Sequence, residues 1–199
     1  MIAPATTLAR GFADPVHDAQ GAFRAALDAM SRPGRRVTLG PAIAGVALSG
    51  AMTHLLLALT DQDTAVWWGP QPPAAAQWLR FHTGAPLATE PCDAAFACVT
   101  AAALPDLNAF AQGTADAPES SATVLIELPA FDGGTSLQWH GPGIRNSLRV
   151  HPDGLPEGFW TGWQTNHAAF PQGVDLIFTC GQDAIGLPRT TRVARVEGI

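Results

Sequence analysis

The chain has 199 residues, of which 47% are hydrophobic, so it can bury a substantial core as one domain. A net charge of -6 and a pI near 5.3 argue against general nucleic-acid binding, because binding to phosphate backbones needs clustered cations. Three cysteines without C-x-x-C spacing leave an odd thiol, so we expect a reducing compartment, the cytoplasm, rather than a disulfide framework.

All eleven cationic side chains are arginines, since the sequence contains no lysine. A lysine-free chain cannot form a side-chain Schiff base with a carbonyl substrate or with pyridoxal phosphate. We therefore expect no such cofactor.

The N-terminal region predicts a helix after a short loose segment. Residues 1–13 lack a basic region followed by an apolar stretch, so they do not resemble a signal peptide. We expect a single domain over 14–199. Asp14 and Pro15 are typical of a helix start, and the segment 31–34 ends the helix. Its apolar residues recur at the spacing of one helix face: Val16, Ala19, Phe23, Ala26, Leu27 and Met30.

Residues 42–60 form an uncharged, largely apolar run that is long enough for a membrane helix. Gly45 and the pair Ser49-Gly50 interrupt it, and no basic residues flank it. Because Ser49 is a good N-cap, the pattern favours a shorter, buried helix through Leu59.

The rest of the chain alternates between predicted strands and helices. Strands are predicted over 36–39, 64–68, 95–100 and 122–128, with helices over 71–83, 105–111 and 156–167. The 122–128 segment is the best central strand, and the turn at 132–134 predicts a hairpin into 135–140. Near the C-terminus, a buried strand over 176–180 leads through a turn into a second strand, which Pro188 ends or places at an edge. We therefore predict an α/β fold with three α/β/α layers and a mixed central sheet.

Two polar or glycine-rich segments are candidate sites. In 141–146, Gly141 and Gly143 could turn backbone N–H groups toward an anion near Arg145, although Gly-Pro-Gly is also common in tight turns. Arg189, Thr190 and Thr191 suit phosphate or phosphonate oxygens, or else a carboxylate across a subunit interface.

No other residues form a recognisable catalytic or metal motif. The six histidines lack metal-ligand spacing, so we expect no metal site and no catalytic residues. His54 fits a hydrogen-bonded core position and His82 a helix end better than a catalytic role.

Ordered segments over most of the chain resemble the PhnH family of the bacterial carbon-phosphorus lyase complex. The similarity is clearest in 170–180 and 186–193 and spans about Asp14 to Val196. The other matching segments are 18–20, 23–24, 30–31, 33–34, 59–63, 66–67, 79–83, 85–87, 113–115, 117–119, 141 and 143–144.

This resemblance implies a subunit of bacterial phosphonate catabolism that works with the PhnG, PhnI and PhnJ subunits. In that system methylphosphonate displaces adenine from ATP, giving ribose 1-methylphosphonate 5-triphosphate, and PhnJ later breaks the carbon-phosphorus bond by a radical step. The implied fold resembles the large domain of pyridoxal-phosphate-dependent type I transferases. The alternative is a free-standing small-molecule binder or enzyme on a degenerate fold of this kind.

Composition also predicts association. Six tryptophans and nine phenylalanines in a chain with only 14% charged residues favour an exposed apolar patch. We expect a two-fold homodimer that also binds the sibling subunits, with no nucleic-acid or membrane partner.

Overall fold

The computed structural model of the protein describes residues 8–70 and 73–196, which alternate between helices and strands. The α-helices of these residues are α1 (Pro15–Ser31), α2 (Gly50–Leu59), α3 (Pro73–Thr83) and α4 (Phe159–Ala168). The strands are β1 (Arg36–Thr38), β2 (Val66–Trp68), β3 (Leu87–Ala88), β4 (Phe96–Thr100), β5 (Thr123–Glu127), β6 (Leu137–His140), β7 (Leu148–Val150), β8 (Asp175–Cys180), β9 (Asp183–Leu187) and β10 (Arg192–Arg195).

A mixed seven-stranded sheet forms the centre of the fold, in the order β1-β9-β8-β5-β4-β2-β3. The β5 strand is central, as predicted, and pairs in parallel with β4 and β8. Its apolar run Val124–Ile126 is fully buried because both faces of the sheet are covered. The predicted C-terminal pair is also confirmed: β8 and β9 are antiparallel, and β9 ends at Leu187, just before Pro188. The α/β class with a mixed sheet is therefore correct.

The two faces of this sheet are covered differently. Helices α1, α2 and α3 pack on one face, against buried side chains that include Val66, Leu125 and Ile177. The other face carries α4 together with a second sheet of order β10-β6-β7, whose Trp139 shares a core with Trp163 of α4. The predicted third layer of helices is thus a mixed layer of one α-helix and a small antiparallel sheet.

The hairpin predicted between 122–128 and 135–140 does not form. Strand β6 pairs instead with β7 and β10, because parallel neighbours already occupy both edges of β5. Gly134 directs the chain toward the second sheet: its N–H donates to the His151 carbonyl at 3.0 Å, and a Cβ there would lie 2.0 Å from the Pro152 oxygen.

Both predicted helix starts are confirmed. The Asp14 carboxylate accepts hydrogen bonds from the backbone N–H groups of Val16 and His17, at 3.2 and 3.1 Å. The Ser49 hydroxyl accepts from Met52 N–H at 3.2 Å, so α2 begins where the sequence indicated. Of the helices in the described ranges, none is sufficiently long and apolar to span a membrane.

The prediction that the large apolar side chains of α1 face the core is wrong. The buried side chains are Ala22, Ala26 and Ala29, whereas Val16, Phe23 and Leu27 are exposed. The reason is the close approach of α1 to β9: a Cβ on Gly186 would lie 2.4 Å from the carbonyl oxygen of Ala29. Only small side chains fit between a helix and a sheet at that distance, so the large ones face away from it.

Two further segments differ from their expected form. The helix predicted over 105–111 is reduced to a single 3₁₀ turn, Leu107–Ala109, capped by Asp106. In the N-terminal segment predicted as loose, the Ala9 carbonyl lies within hydrogen-bond distance of Trp78 Nε1 and His82 Nε2, at 3.0 Å each. Residues 1–7 of that segment lie outside the described residues, and the domain boundary at residue 14 stays a prediction.

Candidate functional site

The guanidinium group of Arg189 is enclosed by protein acceptors. It lies in the turn between β9 and β10, where its side chain is 12% exposed, and its ion-pair partner Asp175 is 21% exposed. Nε lies 3.2 Å from both Asp175 oxygens, and Nη2 donates to Asp175 and to the Ser121 hydroxyl at 2.5 Å each. Nη1 donates to the carbonyls of Pro118 and Pro171, at 3.0 and 3.2 Å.

These contacts engage all five N–H donors of the guanidinium. An anion or an outside carboxylate would have to displace one of the intramolecular partners to reach Arg189. The Arg189 side chain extends from the turn that connects the two sheets. It links this turn to three other segments: the start of β8, the 3₁₀ turn at Pro118–Ser120 and the loop at Pro171.

Thr190 and Thr191 lie against Gly141, so the structure brings two of the predicted segments together. A Cβ on Gly141 would lie 3.0 Å from the Thr190 carbonyl oxygen. Thr191 is fully buried; its carbonyl accepts from Trp163 Nε1 at 3.0 Å, while its hydroxyl has no hydrogen-bond partner among the described residues. The contact fixes the backbone where the chain enters β10.

The Gly141–Ile144 segment is a tight turn that packs on the protein itself. Ile144 N–H donates to the Gly141 carbonyl at 3.1 Å. Gly143 has φ 81°, and a Cβ there would lie 2.1 Å from the carbonyl oxygen of Ser31 at the end of α1. Arg145 is exposed, and it forms no ion pair within the described part of the chain. The anion role of this segment stays a prediction.

Sequence reasoning missed a polar cluster at the carboxyl ends of the central parallel strands. Glu127, the last residue of β5, accepts hydrogen bonds at one oxygen from the hydroxyls of Ser49 and Thr179, at 2.6 Å each. Beside it lies a cavity of about 320 Å³ that Thr100 and Met52 also line. Ligands of open α/β sheets commonly bind at this edge. The sequence did contain a signal for this cluster: the carboxylate of Glu127 comes directly after the apolar run of the central strand β5.

Two cysteines are poorly suited to nucleophilic chemistry. Burial raises the pKa of the Cys98 thiol far above its usual range, and the Glu127 carboxylate adds to the effect. Burial also raises the pKa of Cys180, again with a contribution from Glu127. Since the thiolate is the nucleophile, both side chains are protonated at neutral pH and weakly reactive. Cys92 is exposed and unpaired.

The two singled-out histidines make backbone contacts. His54 is half-buried, with Nδ1 2.8 Å from the Gly50 carbonyl of its own helix, and His82 lies at the end of α3. Over residues 8–70 and 73–196, no group of three or more His, Cys, Asp or Glu side chains is placed to hold a metal ion.

Comparison of the sequence with known proteins identifies its family. Residues 10–194 match the family model described as bacterial phosphonate metabolism protein (PhnH). The chain is 39% identical over 199 residues to the alpha-D-ribose 1-methylphosphonate 5-triphosphate synthase subunit PhnH of Rhizobium meliloti (strain 1021), covering 98% of this chain and 100% of that relative. It is 32% identical over 180 residues to the putative C-P lyase subunit protein HtxG of Stutzerimonas stutzeri, covering 87% and 85%. The chain therefore belongs to the PhnH family of bacterial phosphonate metabolism proteins.

Proposed function

We propose that the chain is a subunit of a ribose 1-methylphosphonate 5-triphosphate synthase, needed for the transfer of methylphosphonate onto the ribose of ATP with release of adenine. The observation that carries this proposal is the end-to-end similarity to the Rhizobium meliloti protein of that name. The match covers 98% of this chain and 100% of that relative.

Its role in the synthase is structural rather than catalytic. The best candidate for anion binding, Arg189, has its donors engaged within the chain, and the thiols of Cys98 and Cys180 are held protonated. The proposed partners are the PhnG, PhnI and PhnJ subunits and a second copy of the chain. The unpaired thiols favour the cytoplasm as its location.

The proposed fold relationship is to the large domain of pyridoxal-phosphate-dependent type I transferases. It is supported by the mixed seven-stranded sheet, in which β9 alone among these strands runs against the rest. The chain would not use that cofactor covalently, because it has no lysine to form the Schiff base.

Growth tests the proposal directly. A bacterium deleted for its own PhnH gene should regain growth on methylphosphonate when this chain is expressed, and tagged chain should copurify with the sibling subunits. Growth on inorganic phosphate is the control. Failure to restore growth by well-expressed, folded protein, together with no copurification, would contradict the subunit role.

A second candidate function, a free-standing small-molecule enzyme or binder, is favoured by the cavity beside Glu127 at the carboxyl edge of the sheet. Incubating the purified chain alone with ATP and methylphosphonate separates the two candidates. The subunit proposal expects no release of adenine, whereas release at a rate comparable to that of the assembled complex would favour the enzyme.

A further inference from the structure

The cavity of about 320 Å³ beside Glu127 is lined by the loop before α2, by the first turn of α2 and by the ends of β4 and β5. Its volume lies in the range of small-molecule sites, and ligands of open α/β sheets commonly bind at this edge. The polar side chains that line it are Ser49, Thr100 and Glu127. We call this space the Glu127 cavity.

Strand register places Thr100 and Glu127 side by side. Thr100 ends β4 and Glu127 ends β5, and the two residues are partners in the parallel pairing of these strands. Two positions earlier, Cys98 and Leu125 belong to the core under α1, α2 and α3. Because side chains alternate along a strand, Thr100 and Glu127 lie on that same face. Neighbouring strands are about 4.8 Å apart, so one ligand can reach both side chains.

Both side chains have hydrogen-bonding capacity that the fold does not use. The hydroxyls of Ser49 and Thr179 donate to Oε2 of Glu127, at 2.6 Å each. Within the described ranges, Oε1 of Glu127 and the hydroxyl of Thr100 have no hydrogen-bond partner. A carboxylate oxygen accepts hydrogen bonds, whereas a hydroxyl can also donate one. The Glu127 cavity therefore offers an acceptor next to a donor.

The charge of the cavity is unsuited to an anionic ligand. Glu127 forms no ion pair among the described residues, and no cationic side chain is among those that line the cavity. The first turn of α2 has its donors engaged: Ala51 N–H donates to the Gly181 carbonyl at 2.9 Å, and Met52 N–H to the Ser49 hydroxyl at 3.2 Å. A phosphate or phosphonate group would thus meet a carboxylate with no cation to hold it.

The remaining walls suit a flat apolar ring. They are formed by Val46, Ala47, Leu48 and Met52, and Met52 is 1% exposed. Aliphatic side chains cover the faces of a ring, and a thioether makes favourable contacts with aromatic groups. A ligand that fits the whole cavity is therefore a neutral heteroaromatic base whose edge carries an N–H donor beside an acceptor.

Among the groups of the proposed reaction, adenine alone has this chemistry. Methylphosphonate and the triphosphate are anions, and the ribose has no flat apolar face. The 6-amino group of adenine can donate to Oε1 of Glu127, while an adjacent ring nitrogen accepts from the Thr100 hydroxyl. Such a donor and acceptor lie next to each other along the amino edge of adenine.

We propose that the Glu127 cavity binds the adenine base of a nucleotide by its amino edge, with Glu127 and Thr100 as its hydrogen-bonding partners. This inference rests on the proposed function for the choice of adenine, and it names a part of the substrate that the chain would hold. The role is one of binding: no bond is made or broken by these two side chains.

Calorimetric titration of the full chain with two nucleosides tests the edge that is bound. Adenosine should bind, and purine riboside, which lacks the 6-amino group, should bind about 10-fold or more weakly, because the carboxylate loses its donor. Methylphosphonate and inorganic triphosphate should not compete with adenosine. No binding of adenosine, equal binding of purine riboside, or competition by either anion would overturn the proposal.

Two substitutions test the residues. Thr100→Val keeps the shape of the side chain and removes a hydroxyl that the fold does not use, so it should raise the Kd of adenosine about 5-fold without changing the urea unfolding curve. Glu127→Gln should raise it about 10-fold or more. Thr123→Val is the matched control, because Thr123 is a half-buried threonine at the opposite end of β5. If Thr100→Val binds adenosine as tightly as wild type does, the assignment of Thr100 is wrong, whether or not Glu127→Gln folds.

Growth on methylphosphonate keeps this inference distinct from the proposed function. If the chain restores growth and copurifies with the sibling subunits but does not bind adenosine, the proposed function stands and the adenine site fails. If adenosine binds and Thr100→Val weakens it, but the chain neither restores growth nor copurifies, the adenine site stands and the subunit role fails.

Discussion

Replacing Arg189 by alanine should destabilise the fold strongly, because this side chain joins four segments of the chain. The substitution leaves the Asp175 carboxylate without its cation, and removes the donors to the Pro118 and Pro171 carbonyls and to the Ser121 hydroxyl. The backbone N–H at position 189 would still donate to Asp175, so the carboxylate keeps one partner.

The magnitude follows from burial. Removing one member of a buried ion pair costs about 3–5 kcal/mol, and Asp175, at 21% exposed, retains some access to water. We therefore expect a loss near the lower end, about 3 kcal/mol of unfolding free energy, which lowers the Tm by roughly 6–12 °C in a domain of this size. Arg189→Lys keeps the charge without the planar fork of donors and should lose about 1–2 kcal/mol.

Urea unfolding followed by tryptophan fluorescence measures these losses. Arg145→Ala is the matched control: it removes an exposed arginine without an ion pair among the described residues, and should change the unfolding free energy by less than about 0.5 kcal/mol. If Arg189→Ala unfolds within about 1 kcal/mol of wild type yet abolishes growth on methylphosphonate, the structural reasoning is wrong and Arg189 acts on a ligand or a partner.

Three other predictions follow from the backbone, a helix cap and the composition. Gly143→Ala should lower the unfolding free energy measured in urea by about 2 kcal/mol or more, since its Cβ would strike a backbone oxygen. Gly158→Ala is the control: its φ is 84° but the space around it is open, so it should lower the unfolding free energy by only about 1 kcal/mol. Equal losses in the two variants would contradict this prediction. Hydrogen bonds from His17 and Val16 lower the pKa of Asp14 below its usual value of 3.8. The stability that the ionised cap adds to the fold is therefore fully present above pH 3.8, and it is lost as the pH falls through the lower pKa of the folded state. The difference in urea unfolding free energy between wild type and Asp14→Ala should shrink over that pH range, and a difference that does not change with pH would contradict this prediction. Borohydride treatment with pyridoxal phosphate should leave no side-chain adduct by mass spectrometry, because the chain has no lysine.

Local chemistry was sufficient to predict several elements from the sequence. Asp14 and Ser49 cap α1 and α2 as their positions indicated, because a cap acts on N–H groups two or three residues away. The turn at Gly181 and the apolar run before it were likewise enough to predict the β8–β9 pair. Ordered similarity along the chain gave the family, which the comparisons confirm.

Tertiary packing decided the remaining features, since each depends on residues far apart in the chain. Arg189 is 71 positions from Pro118 and 68 from Ser121, so its acceptors cannot be read from its neighbours in sequence. Glu127 likewise meets Ser49 across 78 positions. The second sheet needs β10 beside β6, a pairing that no local turn specifies.

The orientation of α1 shows most clearly that local sequence does not determine tertiary packing. Periodicity identified a helix with apolar residues on one side, but it could not show which side faces the core. The close approach of β9 at Gly186 made that choice, because it admits alanine and excludes phenylalanine and leucine. Sequence alone thus determined the helix and its start, while the distance between α1 and the sheet decided which side chains remain in water.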